Sequence, residues 1–290
     1  MGFKIIVLAK QVPDTRNVGK DAMRADGTVN RGALSAIYNP EDLNALEQAL
    51  LIKDKFKDTE ITLLTMGPPR AADIIRESLY RGIDRGYLIT DRRFAGADTL
   101  ATSYVISKAI LKCSPYDIIL SGRQAIDGDT AQVGPQTAEN LGIPQITYVE
   151  EIQDLDSKSI QVKRRLERGV EVVKAKLPVL ITVHGSAEKC RPKNARLMMK
   201  YKYAKTKTEL QAVNEDYLNS FKERPYLNIE ELNLDDLQCD MERVGLTGSP
   251  TKVKAIENVV IKGKESKRLS SSNRDIKTLI NALIESKVVG

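Results

Sequence analysis

The sequence of 290 residues carries 45 lysines and arginines against 39 acidic residues, with 5% aromatic side chains and no tryptophan. The basic balance suits a nucleic-acid binder, but so few aromatic rings leave little surface for base stacking, which argues against that class. No apolar run approaches the roughly 18 residues of a membrane-spanning helix, so we expect no membrane span. The three cysteines, at positions 113, 190 and 239, are widely spaced and odd in number. They predict a reducing compartment, the cytoplasm, without disulfides or a zinc site.

The first half of the chain alternates short apolar runs with amphipathic segments. The runs predict strands at 3–9, 60–66, 86–90, 116–121 and 145–149, and the segments between them predict helices near 40–52, 71–81, 99–112 and 130–141. Strands that alternate with helices of about ten to fifteen residues are typical of βαβ units with right-handed crossovers. We therefore predict an α/β fold with an open parallel sheet and flanking helices.

Two features separate the first two predicted strands. The polar stretch 16–38 is unusually long for a loop, which is often a sign of function, and we expect a small hairpin around residues 26–27. The following helix begins with Asn39 as its N-cap and Pro40 at its first position, with two acidic residues in the first turn.

The pattern changes after residue 150. Runs at 159–165, 170–175 and 179–183 have few helical residues between them, so they predict an antiparallel addition to the sheet. The stretch 189–207 is strongly basic. The stretch 208–250 is acidic and is interrupted by proline and glycine, so we expect an extended arm there. We divide the chain into an α/β domain over 1–207 and a C-terminal part over 208–290, which ends in an amphipathic helix at 273–287.

The chain is organised around the stretch 121–142, which links the fourth predicted strand to the next helix. It contains Gly122 and Gly128, and either Asp129 or Thr130 is placed to cap the helix. In an open α/β sheet, ligands bind at the carboxyl ends of the strands, where the free N–H groups of a helix N-terminus favour phosphate. We interpret the stretch as a site for the phosphate or diphosphate of an adenine nucleotide. A capped turn that binds nothing is the alternative.

Conventional catalytic motifs are absent from the sequence. The single histidine, His184, ends an apolar strand far from any nucleophile motif, so we interpret it as a structural or hydrogen-bonded histidine of the core. Neither G-x-G-x-x-G nor a Walker A lysine loop occurs, and Asp127 and Asp129 lack the spacing of a calcium loop. The sequence therefore indicates a nucleotide-holding subunit and not a stand-alone enzyme.

Four blocks of the sequence together resemble one known family. They are VLAKQVPDT at 7–15, YNPEDLNALEQAL at 38–50, TMGPP at 65–69 and GRQAIDGDTAQVGPQTAENLGIPQ at 122–145. Their order and spacing are similar to those of the β subunit of electron-transfer flavoproteins, and the resemblance covers about residues 1–200. It implies a Rossmann-like, adenine-nucleotide-binding sheet and a C-terminal arm that wraps an α subunit carrying the redox FAD.

The resemblance also implies which residues hold the nucleotide. The implied contacts are Ala9, Lys10, Asn39, Pro40, Glu41, Asp42, Met66, Arg123, Gln124, Ala125, Ile126, Asp127, Gly128, Asp129, Thr130, Ala131, Gln132, Val133 and Gly134. They lie at the ends of the first, second and fourth predicted strands and at one helix start, so we expect them to converge on one crevice. We expect no catalytic residue and no metal ligand.

Members of this family hold either AMP or a second FAD at this position. The loops at 12–15 and 127–134 look similar to those of electron-bifurcating members, and AMP-binding relatives typically carry a bulkier residue at the position of Gly128. Glycine lets the backbone approach a ligand closely, which suits a diphosphate. We therefore predict FAD, with AMP as the alternative. In such members NADH reduces this flavin; one electron passes to ferredoxin and the other, through the α subunit, to a dehydrogenase.

The basic stretch 189–207 resembles the family's recognition loop, which docks a partner flavin dehydrogenase. A solvated basic surface without a partner is the alternative. The loop's usual anchoring leucine aligns near Ala195, and the segment from 208 to 234 looks longer than usual. These departures leave open whether the partner is an acyl-CoA dehydrogenase or another flavin dehydrogenase, such as one acting on a hydroxy acid.

Three other functions stay open on the sequence alone. The chain could be a non-bifurcating β subunit that holds AMP structurally. It could be an adenine-nucleotide sensor without a redox role. The third is a nucleic-acid binder, against which the acidic stretch 208–250 also argues.

Overall fold

The computed structural model describes residues 2–14, 35–211, 221–251, 266–286 and 288. The hairpin predicted around residues 26–27 lies outside these ranges. The strands are β1 Lys4–Leu8, β2 Gln11–Pro13, β3 Ala36–Tyr38, β4 Glu60–Met66, β5 Arg85–Ile89, β6 Ile118–Gly122, β7 Gln145–Leu155, β8 Ser159–Leu166, β9 Gly169–Lys176, β10 Val179–Val183, β11 Lys205–Thr206 and β12 Asn228–Leu232. The helices are α1 Pro40–Lys55, α2 Ala72–Leu79, α3 Thr99–Lys112, α4 Val133–Leu141, α5 Ala195–Tyr201, α6 Lys207–Leu210, α7 Leu234–Leu237 and α8 Asn273–Glu285.

Within the described ranges, ten strands form one sheet in the order β11-β12-β5-β4-β1-β6-β10-β7-β8-β9. Neighbours from β11 through β7 pair in parallel, whereas β7, β8 and β9 pair antiparallel. β2 and β3 form a separate antiparallel ribbon. The predicted α/β fold with an open, mostly parallel sheet is confirmed.

Helices cover both faces of the sheet, and β1 shows why. Ile5 and Val7 are buried in the same cluster as Leu46 of α1. The alternate residue Ile6 belongs to the opposite cluster, with Val105 of α3. A strand that is covered on both faces has a nearly continuous apolar sequence, and the sequence KIIVL fits this pattern.

The chain reverses its direction of travel across the sheet between β1 and β6. From β1 it moves outward through α1, β4, α2 and β5, and α3 then carries it back past β1 to β6. In sheets of this kind the loops diverge at such a switch point and leave a crevice at the carboxyl ends of the two strands. The predicted nucleotide loop, which follows β6, opens at this crevice.

The predicted antiparallel addition is correct for β8 and β9 but wrong for residues 179–183. These residues form β10, which lies parallel between β6 and β7 and is buried along its whole length. The sequence VLITV is apolar without alternation, as expected for a strand that is covered on both faces.

Residues 225–249 also differ from the extended arm that was expected from residue 208. β12 extends the sheet beside β5, and Leu234, Leu237 and Val244 are buried in the cluster that includes α3. These apolar residues anchor an otherwise acidic segment to the domain. Contact of residues 208–290 with an α subunit stays a prediction.

The predicted C-terminal helix is present as α8. It has no buried residue, and its apolar side chains Ile276, Leu279, Ile280 and Ile284 are about half exposed. Among the helices of the described ranges, none combines the length and apolar character needed to cross a membrane.

Candidate functional site

The Asp42 carboxylate joins the carboxyl ends of β1 and β6. Asp42 is only 6% exposed. Its Oδ2 accepts the backbone N–H of Lys10 at 2.8 Å, and its Oδ1 accepts that of Gly122 at 2.9 Å. One side chain in the first turn of α1 therefore fixes the two strand ends that border the crevice.

Asn39 and Glu41 hold the loop that follows β6. Asn39 begins α1 as predicted, but its side chain makes no capping hydrogen bond. Its Nδ2 donates to the carbonyl of Gln124 at 2.9 Å, and its Oδ1 accepts the N–H of Ile126 at 3.2 Å. Glu41 accepts the N–H of Gln124 at 3.1 Å and pairs with the Arg123 guanidinium at 3.0 Å. The start of α1 is thus tied to residues more than 80 positions further along the chain.

Further side chains close the loop on itself and on β1. Lys10 Nζ lies 2.8 Å from both carboxylate oxygens of Asp127. Gln124 Nε2 donates to Asp129 Oδ1 at 2.7 Å. The structure therefore brings together three separate parts of the predicted site: the end of β1, the start of α1 and the loop after β6.

The helix that follows the loop begins later than predicted. Asp129 and Ala131 have φ angles of 48° and 53°, and left-handed backbone cannot continue into a right-handed helix. α4 therefore begins at Val133, with Gln132 as its N-cap, and neither Asp129 nor Thr130 caps it. The Gln132 side chain makes no capping hydrogen bond; it is 2.9 Å from the Thr99 hydroxyl instead.

The N-terminal turn of α4 therefore lacks a side-chain cap, and a buried hydroxyl lies beside it. The Ser121 Oγ has no hydrogen-bond partner in the described part of the chain, and Ser121 is 7% exposed. This atom is 3.2 Å from the position that a Cβ on Gly134 would occupy. Unpaired backbone N–H groups and a free hydroxyl in one place can receive an anion.

The glycines and Met66 of the predicted set have different surroundings. A Cβ on Gly134 would lie 2.8 Å from the Thr182 methyl, so packing against β10 explains this glycine. A Cβ on Gly128 would have no neighbouring atom within 4 Å in the described part of the chain. Met66 and Val133 both pack against the apolar cluster that contains α3. Gly128 is therefore the glycine of this loop that borders open space.

Burial raises the pKa of Asp42 to about 7, although hydrogen bonds from the Lys10 N–H, the Asn39 side chain and the Gly122 N–H lower it. The ionised carboxylate can accept both backbone N–H groups, whereas protonation places a hydrogen on one of the two oxygens. Burial therefore outweighs these hydrogen bonds, and Asp42 changes its protonation state near neutral pH.

Tyr148 borders Arg123, and no sequence pattern pointed to it. Tyr148 has a φ of 61° and lies where the pairing register of β7 with β10 shifts. The Arg123 guanidinium lies 5.4 Å from the Tyr148 ring centroid. The ring also stacks on His184, with centroids 5.9 Å apart and planes 22° apart. Backbone strain of this kind costs on the order of 1 kcal/mol and is often kept at functional sites.

His184 is hydrogen-bonded, as predicted, but it is only half buried and does not lie in the core. Its Nδ1 accepts the N–H of Ser186 at 3.1 Å and lies 2.8 Å from the hydroxyl of that residue. The same hydroxyl contacts the Glu150 carboxylate. In a hydrolytic triad the imidazole lies between the serine and the acid. Here the serine lies between the imidazole and the acid, so the group is not a triad.

The cysteines are not poised for nucleophilic or redox chemistry. Cys113, Cys190 and Cys239 are free thiols. Burial raises the pKa of Cys113 to about 11 and that of Cys190 to about 12, so both stay protonated near neutral pH. Among the described residues, no group of three or more histidine, cysteine or acidic side chains could hold a metal ion.

A cavity of about 560 Å³ lies elsewhere, between α1 and the strands β7 and β8. Its walls include Leu51 and Phe56 on one side and Ile152, Lys163 and Arg165 on the other. It shares no residue with the predicted nucleotide site. Its mixed apolar and charged walls contain no helix N-terminus, so its volume alone does not indicate a phosphate site.

The basic stretch 189–207 is anchored to the domain by its own charges. Arg191 pairs with the buried Glu47 at 2.8 Å, and Lys193 pairs with Glu77 at 3.2 Å. α5 projects between these anchors and β11. Its Met198 and Met199 are 40% and 67% exposed. The fixed ends therefore present a short, partly apolar helix on the surface.

Lysines of this stretch lie on aromatic rings. Lys200 Nζ is 4.7 Å from the ring centroid of Tyr201 and 5.0 Å from that of Tyr226. Lys202 Nζ is 4.6 Å from the centroid of Tyr203. Tyr226 comes from the segment that precedes β12, so the surface includes a part of the chain that sequence reasoning did not connect with it.

A parallel sheet with a switch point, and a polar loop leading into an uncapped helix there, define the class of α/β proteins that place ligands at the carboxyl edge. Residues 26–213 match the family model described as the electron transfer flavoprotein domain. This match covers more than half of the chain, and the chain belongs to the electron transfer flavoprotein family.

Individual relatives extend the similarity beyond the matched domain. The chain is 41% identical over 262 residues to an electron transfer flavoprotein subunit beta of Clostridium acetobutylicum, covering 90% of each chain. It is 40% identical over 290 residues to an acryloyl-CoA reductase electron transfer subunit gamma of Anaerotignum propionicum, covering 99% of this chain and 100% of the relative. It is 51% identical over 180 residues to the caffeyl-CoA reductase-Etf complex subunit CarD of Acetobacterium woodii, covering 62% of this chain and 68% of the relative. The resemblance to β subunits is confirmed, and with it a role in electron transfer.

Proposed function

We propose that this chain binds FAD at the carboxyl edge of β1 and β6 and, with an α subunit, passes electrons between NADH, ferredoxin and a partner flavin dehydrogenase. The N-terminus of α4 is the observation that carries the proposal. It has no side-chain cap, and the buried Ser121 Oγ beside it is unpaired within the described ranges. Free N–H and O–H donors at a helix N-terminus suit the phosphate oxygens of a nucleotide.

The residues that would hold the nucleotide are those of the loop 123–134. The N–H groups of Gln124, Ile126, Gly128 and Asp129 already have protein acceptors. Those of residues 130–134, which lead into α4, would therefore bind the phosphates. The left-handed backbone at Asp129 and Ala131 supports this, because left-handed residues within a turn can gather N–H groups into a concave, anion-binding arrangement. FAD, when bound, supplies the redox chemistry, while the chain binds it, orients it and sets its surroundings.

The choice of FAD over AMP depends on the space beside Gly128. No atom of the described residues lies within 4 Å of the position of a Cβ there, so a larger phosphate group has room to approach the backbone. The likeness of this loop to those of electron-bifurcating members supports the same choice. Protein side chains do not compete for that space in the described residues.

The partners follow from the family and from the basic surface. An α subunit would complete the complex. Two relatives are named after reductases of acryloyl-CoA and caffeyl-CoA, which supports a flavin dehydrogenase acting on a CoA ester as the partner of this chain too. Exposed methionines adapt to apolar sockets and cations accelerate encounter, so the α5 surface suits such docking. We place the complex in the cytoplasm.

Acid release and quantification of nucleotides from the purified αβ complex tests the proposal. We expect two FAD and no AMP per complex, and loss of flavin absorbance when NADH is added anaerobically. One FAD with one AMP would overturn the FAD assignment and favour the non-bifurcating role. A chain that purifies with AMP and without an α subunit would favour the nucleotide sensor.

A further inference from the structure

Three neighbouring side chains at the start of α1 accept alternate backbone N–H groups of the loop after β6. We call these side chains, Asn39, Glu41 and Asp42, the first-turn bracket. The three bonds are Gly122 N to Asp42 Oδ1 at 2.9 Å, Gln124 N to Glu41 Oε2 at 3.1 Å and Ile126 N to Asn39 Oδ1 at 3.2 Å. In a β-strand, alternate N–H groups point to the same side and donate to the neighbouring strand. Here the three side chains are the acceptors in place of a neighbouring strand.

The other polar atoms of the bracket are also engaged. The second oxygen of Asp42 accepts the Lys10 N–H, and Asn39 Nδ2 donates to the Gln124 carbonyl. The remaining oxygen of Glu41 pairs with the Arg123 guanidinium at 3.0 Å. Every polar heavy atom of these side chains therefore has a protein partner, which holds the side chains toward the loop.

Charge also argues against direct contact with a nucleotide. Glu41 is acidic, and Asp42 is charged whenever it is ionised; a carboxylate next to a phosphate is repelled by it. Turning both carboxylates toward backbone N–H groups and the Arg123 guanidinium removes that repulsion from the crevice. These carboxylates would contribute to an anion site by holding the loop after β6 in place.

The bracket is tightly packed. Asn39 is fully buried and Asp42 is 6% exposed. A Cβ on Gly122 would lie 2.4 Å from Asp42 Oδ1 and 2.8 Å from the Asp42 backbone nitrogen. Only glycine lets the end of β6 approach the helix start this closely, so the geometry of the loop is set by contact as well as by hydrogen bonds.

We infer that the side chains of Asn39, Glu41 and Asp42 are positioning groups, which fix the backbone of residues 122–126 so that the loop 123–134 is preorganised for a nucleotide. This inference rests on the proposed nucleotide site. It assigns these side chains an effect on binding through the loop, whereas the family resemblance implied contact by the residues.

The experiment uses the full-length αβ complex and two variants at one position. Glu41→Ala removes the acceptor for the Gln124 N–H, whereas Glu41→Gln keeps an acceptor oxygen and loses only the charge. Glu60→Gln, at the amino edge of the sheet in an exposed ion pair with Lys4, is the control. Each complex is stripped of the nucleotide of this chain, hydrogen exchange is followed over residues 118–126, and the Kd values of AMP and FAD are then measured.

We expect Glu41→Ala to raise exchange in residues 122–126 without nucleotide and to weaken nucleotide binding by about 10-fold or more, because a partly buried N–H loses its acceptor. Glu41→Gln should restore most of the protection and most of the affinity. Glu60→Gln should match the wild type. If Glu41→Ala folds poorly, Asn39→Asp provides a second comparison, because it keeps the acceptor for Ile126 and loses the donor to Gln124.

The outcomes separate the inference from the proposed function. Weaker nucleotide binding with unchanged exchange would show direct contact and overturn the inference alone. Unchanged affinity with increased exchange would also overturn it, because loop order would then not matter for binding. A wild-type complex that binds neither AMP nor FAD after stripping would overturn the proposed site itself, while exchange still reports whether the bracket holds the loop.

Discussion

Gly122 and Asp42 are in such close contact that the glycine has no room for a side chain. The Gly122 N–H donates to Asp42 Oδ1 at 2.9 Å, and a Cβ on Gly122 would lie 2.4 Å from that same oxygen. The hydrogen bond and the close approach occur where β6 ends and the chain enters the loop that we propose binds the nucleotide. This contact links the sheet, the start of α1 and the crevice.

Replacement by alanine should change the stability of the protein at Gly122 but not at Gly128. Gly122→Ala should lower the free energy of unfolding by about 1–3 kcal/mol, the usual cost of overpacking, because backbone and carboxylate atoms must move. Gly128→Ala should leave stability nearly unchanged, because no atom of the described residues lies within 4 Å and the backbone is not left-handed there. Denaturant unfolding of both variants measures the difference.

The Gly128→Ala variant also tests which nucleotide binds. If a diphosphate approaches Gly128, the added methyl group of Gly128→Ala should weaken FAD binding more than AMP binding. The comparison is made by calorimetry on the αβ complex. Equal Kd values in wild type and variant would place the nucleotide away from Gly128.

Asp42 should make stability depend on pH. Its pKa rises from the ordinary 3.8 to about 7 on folding, chiefly through burial. Between these values the folded chain holds a proton that the unfolded chain has released. The stabilising contribution is therefore present below about pH 4 and is lost as the pH rises through about 7. The charged and titratable groups facing Asp42 include Lys10 and Tyr38.

Asp42→Asn removes this titration. Its stability relative to the wild type should improve as the pH rises from about 5 to about 8, measured by urea unfolding at several pH values. A difference that stays constant over this range would mean that Asp42 keeps an ordinary pKa in the folded chain.

The basic surface around α5 should govern encounter with the partner dehydrogenase. Lys202→Glu with Lys205→Glu should slow electron transfer to the dehydrogenase several-fold at low salt, with less effect at high salt, because screening weakens steering. Lys174→Glu with Lys176→Glu is the matched control, since β9 is at the opposite edge of the sheet from β11. Equal rates for the two double variants in stopped-flow mixing would argue for a merely solvated surface.

Much of the fold could be predicted from local pattern. β4 matches the predicted run 60–66, and α3 begins at the predicted residue 99, where the side chain of Asp98 accepts the Ala101 N–H. Gly142 ends α4 with a left-handed φ of 65°, as expected of a helix C-terminus. These features depend on residues only a few positions apart, so they can be recognised in a single sequence.

What the sequence did not reveal depends on distant partners. Asn39 is a residue type that is common at N-caps, yet its side chain hydrogen-bonds to the backbone of residues 124 and 126. This happens because the fold places that loop beside the helix start. β10 was assigned to the antiparallel part because its sequence neighbours are antiparallel. The local pattern does not show that a strand inserts between β6 and β7.

A crystal structure of the αβ complex, purified with its native nucleotides, would show directly where this chain holds its ligand. We predict an adenine nucleotide at the carboxyl edge of β1 and β6, with its phosphates hydrogen-bonded to backbone N–H groups of residues 130–134. A crevice filled by the side chains of this loop, or a nucleotide bound instead in the cavity between α1 and β7–β8, would contradict the proposed site.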